Sequence, residues 1–205
     1  MIADGRRSAK HLRGRDRGGA VGHPPTMHPL HDIVVPPAIE DFVPAVIEIP
    51  AGSKLKYEID KTTGLLMLDR VLYSSVHYPA NYGFIPQSYA DDGDPLDILV
   101  LMQEPVVPLT IVRARAVGGL KMRDDKGDDD KIVAVALDDP AFNHYTEATQ
   151  LPPHVMIELE RFFRDYKILE NKTAEVDQLY DREQALSVVR RSLDDYRKRS
   201  AWHKP

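Results

Sequence analysis

Nine aspartates in two short windows are the most chemically loaded feature of this sequence. Asp91, Asp92, Asp94 and Asp97 fill four of seven positions in Asp-Asp-Gly-Asp-Pro-Leu-Asp. Asp124, Asp125, Asp128, Asp129 and Asp130 fill five of the seven positions immediately before Lys131. Carboxylates at this density repel one another, and cations placed among them relieve the repulsion. Oxygen donors without His or Cys select hard ions, Mg²⁺, Mn²⁺ or Ca²⁺, over zinc. Neither window places its glycine and a closing Glu where a calcium-binding EF-hand loop needs them. A solvated acidic loop would account for one such window. Two windows, each abutting an expected strand, favour metal binding.

A basic and phenolic set accompanies them. Lys56, Arg70 and Lys131 lie at or beside strand-like segments that also carry Glu58 and the acidic windows. Tyr78 and Tyr82 stand four apart across Pro79, so that segment is expected as a loop. Tyr166 and Lys167 close an amphipathic stretch. Taken singly, Lys56 reads as a solvated face, Arg70 as a structural ion pair and Tyr166 as core. Together with divalent cations they supply what a polyanionic phosphate substrate requires: neutralised charge and held leaving oxygens. Neither a Gly-x-x-x-x-Gly-Lys-Ser/Thr loop nor a Gly-x-Gly-x-x-Gly turn is present, which argues against a nucleotide cradle.

The elements that must position these groups show two rhythms. Residues 54–60 alternate strictly, setting Lys56 and Glu58 on one face and Leu55, Tyr57 and Ile59 on the other. Thr62, Thr63 and Gly64 signal a turn, and residues 65–72 read as the returning strand. Residues 98–102, 111–117 and 131–137 are further strand candidates. After Pro152 and Pro153 the period changes to 3.6, with Val155, Leu159, Phe162, Phe163 and Tyr166 on one stripe. A second helix is expected from Asp181, whose spacing to Gln184 suits a capping box, with Ala185, Val188, Val189, Ser192 and Tyr196 inward. Strands followed by helices predict an α+β chain, a small β-barrel with helices packed outside.

Composition narrows the function classes. The chain has 205 residues and no cysteine, which removes disulfides, thiolate zinc sites and a cysteine nucleophile. A formal charge of −5 disfavours a nucleic-acid binder. Apolar runs such as the five residues 98–102 fall far short of the ~20 that a membrane-spanning helix needs. Residues 1–27 hold six basic side chains against two acidic ones, a formal +4 that leaves −9 on the other 178 residues. This Gly- and Arg-rich stretch lacks a secretory h-region and reads as a disordered basic tail ahead of a domain over 28–205, or as sequence before a translation start at Met27, in preference to a targeting signal.

Over roughly residues 46–167 the chain resembles the family I soluble inorganic pyrophosphatases. The resemblance rests on Ile47-Glu48-Ile49-Pro50, Lys56-Tyr57-Glu58, Asp69-Arg70, Tyr78-Pro79-Ala80-Asn81-Tyr82-Gly83 and, most specifically, Asp92-Gly93-Asp94-Pro95-Leu96-Asp97. It continues through Lys121-Met122, Asp124, Asp129 and Lys131 to Phe162-Phe163-Arg164-Asp165-Tyr166-Lys167. His28-Pro29-Leu30-His31-Asp32 resembles the plant-type branch.

The resemblance implies a five-stranded OB-like β-barrel core with flanking C-terminal helices, and hydrolysis of pyrophosphate to two phosphates by a metal-bridging hydroxide. It implies several Mg²⁺ ions per site, with Mn²⁺ or Zn²⁺ as substitutes. Asp92, Asp97 and Asp129 would hold the first ion, with Asp97 shared with a second. Asp124 and Asp129 would hold a third, and Glu48 and Glu58 would contribute from the opposite side. Lys56, Arg70, Tyr166 and Lys167 would bind phosphate, with Tyr82 and Lys131 close by. Asp94 would orient or deprotonate the water, a role also open to Asp129. A small-molecule substrate, no nucleic-acid or membrane partner, a cytoplasmic location and compatibility with a homo-oligomer complete the expectation. Two other classes remain: an OB-type nucleic-acid module, which wants a basic groove with stacking aromatics, and a calcium-dependent interaction domain, which leaves Lys56, Arg70, Tyr166 and Lys167 unexplained.

Overall fold

The computed structural model describes residues 27–124, 127–172 and 174–199, so residues 1–26 of the expected tail lie outside it. Among the described residues, eight strands and two α-helices follow one another as β1 (Val43–Ile49), β2 (Leu55–Ile59), β3 (Leu66–Val71), β4 (Asn81–Phe84), β5 (Asp97–Leu101), β6 (Ile111–Asp124), β7 (Gly127–Ala136), α1 (Pro153–Asp165), β8 (Ala174–Tyr180) and α2 (Arg182–Lys198). The α+β expectation holds. Six strands form one mixed sheet in the order β1-β4-β5-β7-β6-β8, and β1 also pairs with β6. Five strands thus succeed one another in a ring of pairings from which β8 extends. β5 and β7 run parallel; the other pairings are antiparallel. The β2–β3 hairpin is a separate two-stranded sheet.

Period-two alternation divides the central strands between two cores. Ile98 and Val100 of β5 join Ile132 and Ala134 of β7 in a core that α2 covers with Ala185, Leu186, Val189 and Leu193. The alternate residues Leu99, Leu101, Val133 and Val135 belong to a second core that α1 covers with Leu159, Phe162, Phe163 and Tyr166. Asp97, Asp129 and Lys131 continue the odd-numbered set, so they stand at the edge of the α1 core. Pro153 opens α1, where its missing N–H costs nothing. Asp181 caps α2, its carboxylate accepting from the Gln184 N–H at 2.9 Å.

The structure departs from the sequence expectations in four places. The segment expected as a loop around Tyr78 and Tyr82 becomes strand β4 from Asn81 onward, because Pro79 precedes the strand instead of interrupting it. Gly83 lets β4 approach β1 there: a Cβ would meet the Val46 carbonyl oxygen at 1.9 Å. β6 runs to Asp124 instead of ending at Val117, and β7 begins at Gly127, so the second acidic window lies largely within a strand pair. Cross-strand cations make this tolerable: Asp128 accepts from Arg123 at 3.0 Å and pairs with Lys121 at 3.2 Å. Finally, β8, for which no signal stood out, intervenes between the helices. Among the described residues no helix is long and apolar enough to cross a membrane.

Candidate active site

A cleft of about 360 Å³ opens between the β2–β3 hairpin on one side and, on the other, the starts of β5 and β7, the loop over residues 90–95 and the C-terminal end of α1. Of the thirteen residues to which the family resemblance gives a role, twelve line it: Glu48, Lys56, Glu58, Arg70, Tyr82, Asp92, Asp94, Asp97, Asp129, Lys131, Tyr166 and Lys167. The thirteenth, Asp124, ends β6 opposite Gly127, and its side chain lies outside the described residues.

The floor of the cleft follows from strand register. Asp97 and Lys131 are partners in the parallel β5–β7 ladder, and Asp129 lies two residues before Lys131 on the same face. Lys131 is buried, with 3% of its side chain exposed. Its Nζ donates to Asp97 Oδ2 at 2.5 Å and to the two Asp129 carboxylate oxygens at 2.8 and 2.9 Å. The ammonium also lies 5.7 Å from the Tyr82 ring centre and 5.6 Å from that of Phe163, a cation–π setting. Burial pulls the Lys131 pKa down, but Asp129 and Asp97 more than offset it, so the amine sits well above its ordinary value and stays charged. Burial pushes Asp97 up to about 6 even though Lys131 opposes the shift. The Tyr82 hydroxyl hydrogen-bonds Asp97, and burial raises it well above the usual phenol, so it remains a neutral hydrogen-bonding group at neutral pH.

The loop before β5 is tightly folded. Asp92 Oδ1 accepts from the Asp94 N–H at 3.0 Å, and Gly93 adopts φ +89°, a conformation that glycine reaches without cost. Burial raises the Asp92 pKa. Glu48, on β1, is buried and accepts from the Ile59 N–H at 2.7 Å, joining the end of the hairpin to the main sheet. Its carboxyl is pushed up to about 8 by burial and then by Asp97.

The opposite wall is held by alternating charges. Lys56 and Arg70 are cross-strand partners. Lys56 pairs with Glu58 and, at 3.1 Å, with Asp69; Arg70 pairs with Asp69 and, at 2.8 Å through Nε, with Glu170. Burial works against both cations, yet these carboxylates raise their pKa values. Tyr166 and Lys167 reach the cleft from the end of α1, the Lys167 ammonium 5.4 Å from the Tyr166 ring centre.

Several cleft residues had no role in the sequence reading. Asp69 lies beside Arg70 at an irregularity in which Lys56 pairs with Arg70 but Tyr57 pairs with Leu68, so two consecutive side chains line the same cavity. Strict alternation hides such a residue. Lys61, in the hairpin turn, donates to the Gly93 carbonyl at 2.9 Å and pairs with Asp94, while Lys172 lies further along the cavity lining. A lone lysine in a turn carries no sequence signal. Asp91 and Asp130 leave the cleft instead, meeting Arg191 of α2 at 3.6 and 3.4 Å.

Among the described residues, no three His, Cys, Asp or Glu side chains converge as a formed metal centre requires. Asp97 and Asp129 converge on Lys131, and Asp94 is drawn toward Lys61. The donor chemistry nevertheless fits a hard divalent cation. The candidates are all carboxylates facing one cavity, and burial disfavours the anionic form of Asp92, Asp97 and Glu48, a penalty that added positive charge relieves.

The inorganic pyrophosphatase family profile matches residues 45–197. The chain belongs to the inorganic pyrophosphatase family. Soluble inorganic pyrophosphatase 2 of Chlamydomonas reinhardtii is 53% identical over 169 residues, 82% of this chain and 88% of the relative. Soluble inorganic pyrophosphatase 1 of Arabidopsis thaliana is 50% identical over 169 residues, covering 82% of this chain and 80% of the relative. These are algal and plant proteins, in keeping with the resemblance carried by His28-Pro29-Leu30-His31-Asp32. The crystal structure of the Thermus thermophilus inorganic pyrophosphatase superposes with a TM-score of 0.79 at 40% identity, covering 82% of this chain and 99% of that one. As an inorganic pyrophosphatase the chain is an enzyme, a hydrolase.

Proposed function

We propose that the cleft hydrolyses inorganic pyrophosphate in a Mg²⁺-dependent reaction, with the ring of five strands serving as an OB-like barrel that fixes its floor. One observation carries this reading. Carboxylates and cationic or phenolic donors face one another across a single cavity, the arrangement that a metal-complexed polyanion needs. Asp92, Asp97 and Asp129 would hold the metal, with Asp124, Glu48 and Glu58 contributing. When bound, Mg²⁺ supplies positive charge to phosphoryl oxygens and lowers the pKa of water toward neutrality.

The side chains of the protein do the rest. Lys56, Arg70, Tyr166 and Lys167 bind and orient the two phosphates, and Tyr82 donates from the cleft floor. Lys131 holds Asp97 and Asp129 in place by donating to both carboxylates. The oxygen of a water adds to one phosphorus as the bridging P–O bond breaks, and the electron pair leaves with the second phosphate. The water's proton passes to a carboxylate, either Asp94 at the rim or Asp129 on the floor. The cations on the hairpin stabilise the charge that develops on the departing phosphate.

Phosphate release from pyrophosphate tests the reading. Release is expected with Mg²⁺, is abolished by EDTA, and returns on adding Mg²⁺ back. Calcium alone should bind without supporting turnover, because its larger radius and looser coordination misplace the reacting groups. Undiminished turnover in calcium alone, or in EDTA, would remove the Mg²⁺ requirement from the account.

A further inference from the structure

Glu170 lies outside the cleft lining, yet it is bonded to a residue inside it. It ends the short 3₁₀ turn Ile168–Glu170 that follows Tyr166 and Lys167, and Asn171 closes that turn in the left-handed region at φ 55°. Only 8% of its side chain is exposed, so its carboxylate needs a partner, and it takes the Nε–H of Arg70 at 2.8 Å across a separation of 100 residues. Arg70 Nη1 is committed to Asp69. Among the described residues nothing takes the Nη2 donors, and Arg70 lines the cavity. The two acids therefore engage Nε and Nη1 and leave Nη2 for a ligand.

The connection adds to the packing of Tyr57, on β2, against the core that α1 covers, and it joins the two elements directly at the cleft. Arg70 belongs to the two-stranded hairpin, which shares no ladder with the six-stranded sheet. Tyr166 and Lys167 are fixed by α1, whose buried stripe anchors it to the main core. The Arg70–Glu170 bond helps set the distance between the hairpin cations and the donors at the end of α1. A diphosphate gripped from both sides depends on that distance, since small misplacements of positioned groups are costly in rate.

We propose that Glu170 is a positioning residue for pyrophosphate: it orients the Arg70 guanidinium and ties the hairpin wall to the Tyr166–Lys167 end of the cleft. This rests on the reading of Arg70 as a phosphate ligand. A planar fork held on two edges presents fixed donors, which a lysine at the same place does not.

The test is a kinetic double-mutant cycle on the full chain with saturating Mg²⁺, reading KM and kcat for pyrophosphate and the melting temperature. Glu170→Gln keeps shape and an acceptor oxygen but removes the charge. It should lower kcat/KM about tenfold, chiefly through KM, with kcat within about twofold. Arg70→Lys should also lower kcat/KM substantially. Adding Glu170→Gln to Arg70→Lys should then change kcat/KM by less than about twofold, because the fork that Glu170 orients is gone. If Glu170→Gln lowers the melting temperature but leaves KM untouched, Glu170 is structural and the proposal fails. Effects that multiply fully in the double variant would also overturn it, since Glu170 would then act independently of Arg70. Wild-type kinetics in Arg70→Lys alone would instead overturn the reading of Arg70, a result distinguishable from failure at Glu170. Should Glu170→Gln not fold, Glu170→Asp keeps the charge but withdraws it by one methylene, and the same rise in KM is required of it.

Discussion

Asp97, Asp129 and Lys131 stand on strands packed on both faces, whereas Lys56 and Arg70 stand on a hairpin whose outer side is open to solvent. The hairpin leaves Met67, Leu68 and Val71 about half exposed, while β1 and nearly all of β5 are buried. The two walls of the cleft are consequently held by different forces. On the floor, backbone register places the side chains, and one buried ammonium resolves the charge. On the hairpin wall, the chain Glu58–Lys56–Asp69–Arg70–Glu170 places the groups by ion pairing. Changes on the floor should therefore cost folding stability as well as chemistry, and changes on the wall should cost chiefly substrate affinity.

The sharpest break of that contrast pairs Lys131→Met with Lys56→Met, both unfolded by denaturant in EDTA. Lys131→Met leaves Asp97 and Asp129 without their buried cation and should cost about 3–5 kcal/mol. Added Mg²⁺ should return part of that loss by supplying positive charge among the same carboxylates. Lys56→Met breaks pairs at the cleft wall and should cost less than about 1 kcal/mol, while KM for pyrophosphate rises. Equal destabilisation by the two substitutions would erase the distinction between floor and wall.

A second pair probes the floor against its rim. Asp97→Asn removes an expected metal ligand and an acceptor for Lys131, so the Mg²⁺ concentration needed for half-maximal rate should rise about tenfold or more, with partial rescue by excess metal. Asp94→Asn lies in the exposed part of the loop. It should lower kcat at saturating Mg²⁺ with little change in the metal requirement. If Asp94→Asn keeps its rate while Asp129→Asn loses it beyond metal rescue, the proton acceptor is Asp129. Loss in both would show the two acting as a unit, which single substitutions cannot divide.

What was readable in advance divides along physical lines. Alternation announced the β2–β3 hairpin, and a 3.6-residue stripe after two prolines announced α1, because both signals are written in local burial. The acidic windows and Tyr166-Lys167 marked the cleft because unusual charge density needs a purpose. The irregular pairings were not readable. Asp69 lines the cleft through one such irregularity in β2–β3, and β1 shifts register between Ile47 and Ile49, the residues flanking Glu48. A bulge is a relation between two strands, so the sequence of one strand does not display it. Glu170 was missed for a related reason: its partner lies 100 residues away, in another element. Strand β4 was hidden by Pro79, which reads as a breaker but only precedes the strand. Similarly, Asp128 in the second acidic window was legible as a potential ligand, but Lys121 and Arg123 across the ladder claim it.

The last contrast concerns the seam between the walls, where Glu48 accepts the Ile59 N–H. Burial and the nearby Asp97 raise its carboxyl from 4.5 to about 8. A carboxyl whose folded value lies above its unfolded one holds a proton in the fold that the unfolded chain has already released. Its favourable contribution is therefore complete below pH 4.5, declines as pH rises, and is lost above about 8. Asp97, raised to about 6, acts in the same direction over a narrower interval. In EDTA the melting temperature of the wild type should accordingly fall between pH 4.5 and 8 more steeply than that of Glu48→Gln. The amide does not titrate, and its oxygen can still accept the Ile59 N–H, so the slope from Asp97 remains in both proteins and cancels in their difference. With Mg²⁺ present the contrast should weaken or reverse, because a nearby cation favours the ionised carboxylate that the metal-free cleft disfavours. A difference curve that stays flat across this interval in EDTA would place Glu48 in an ordinary, solvated setting, and the seam would have to be held by the backbone contacts of the hairpin instead.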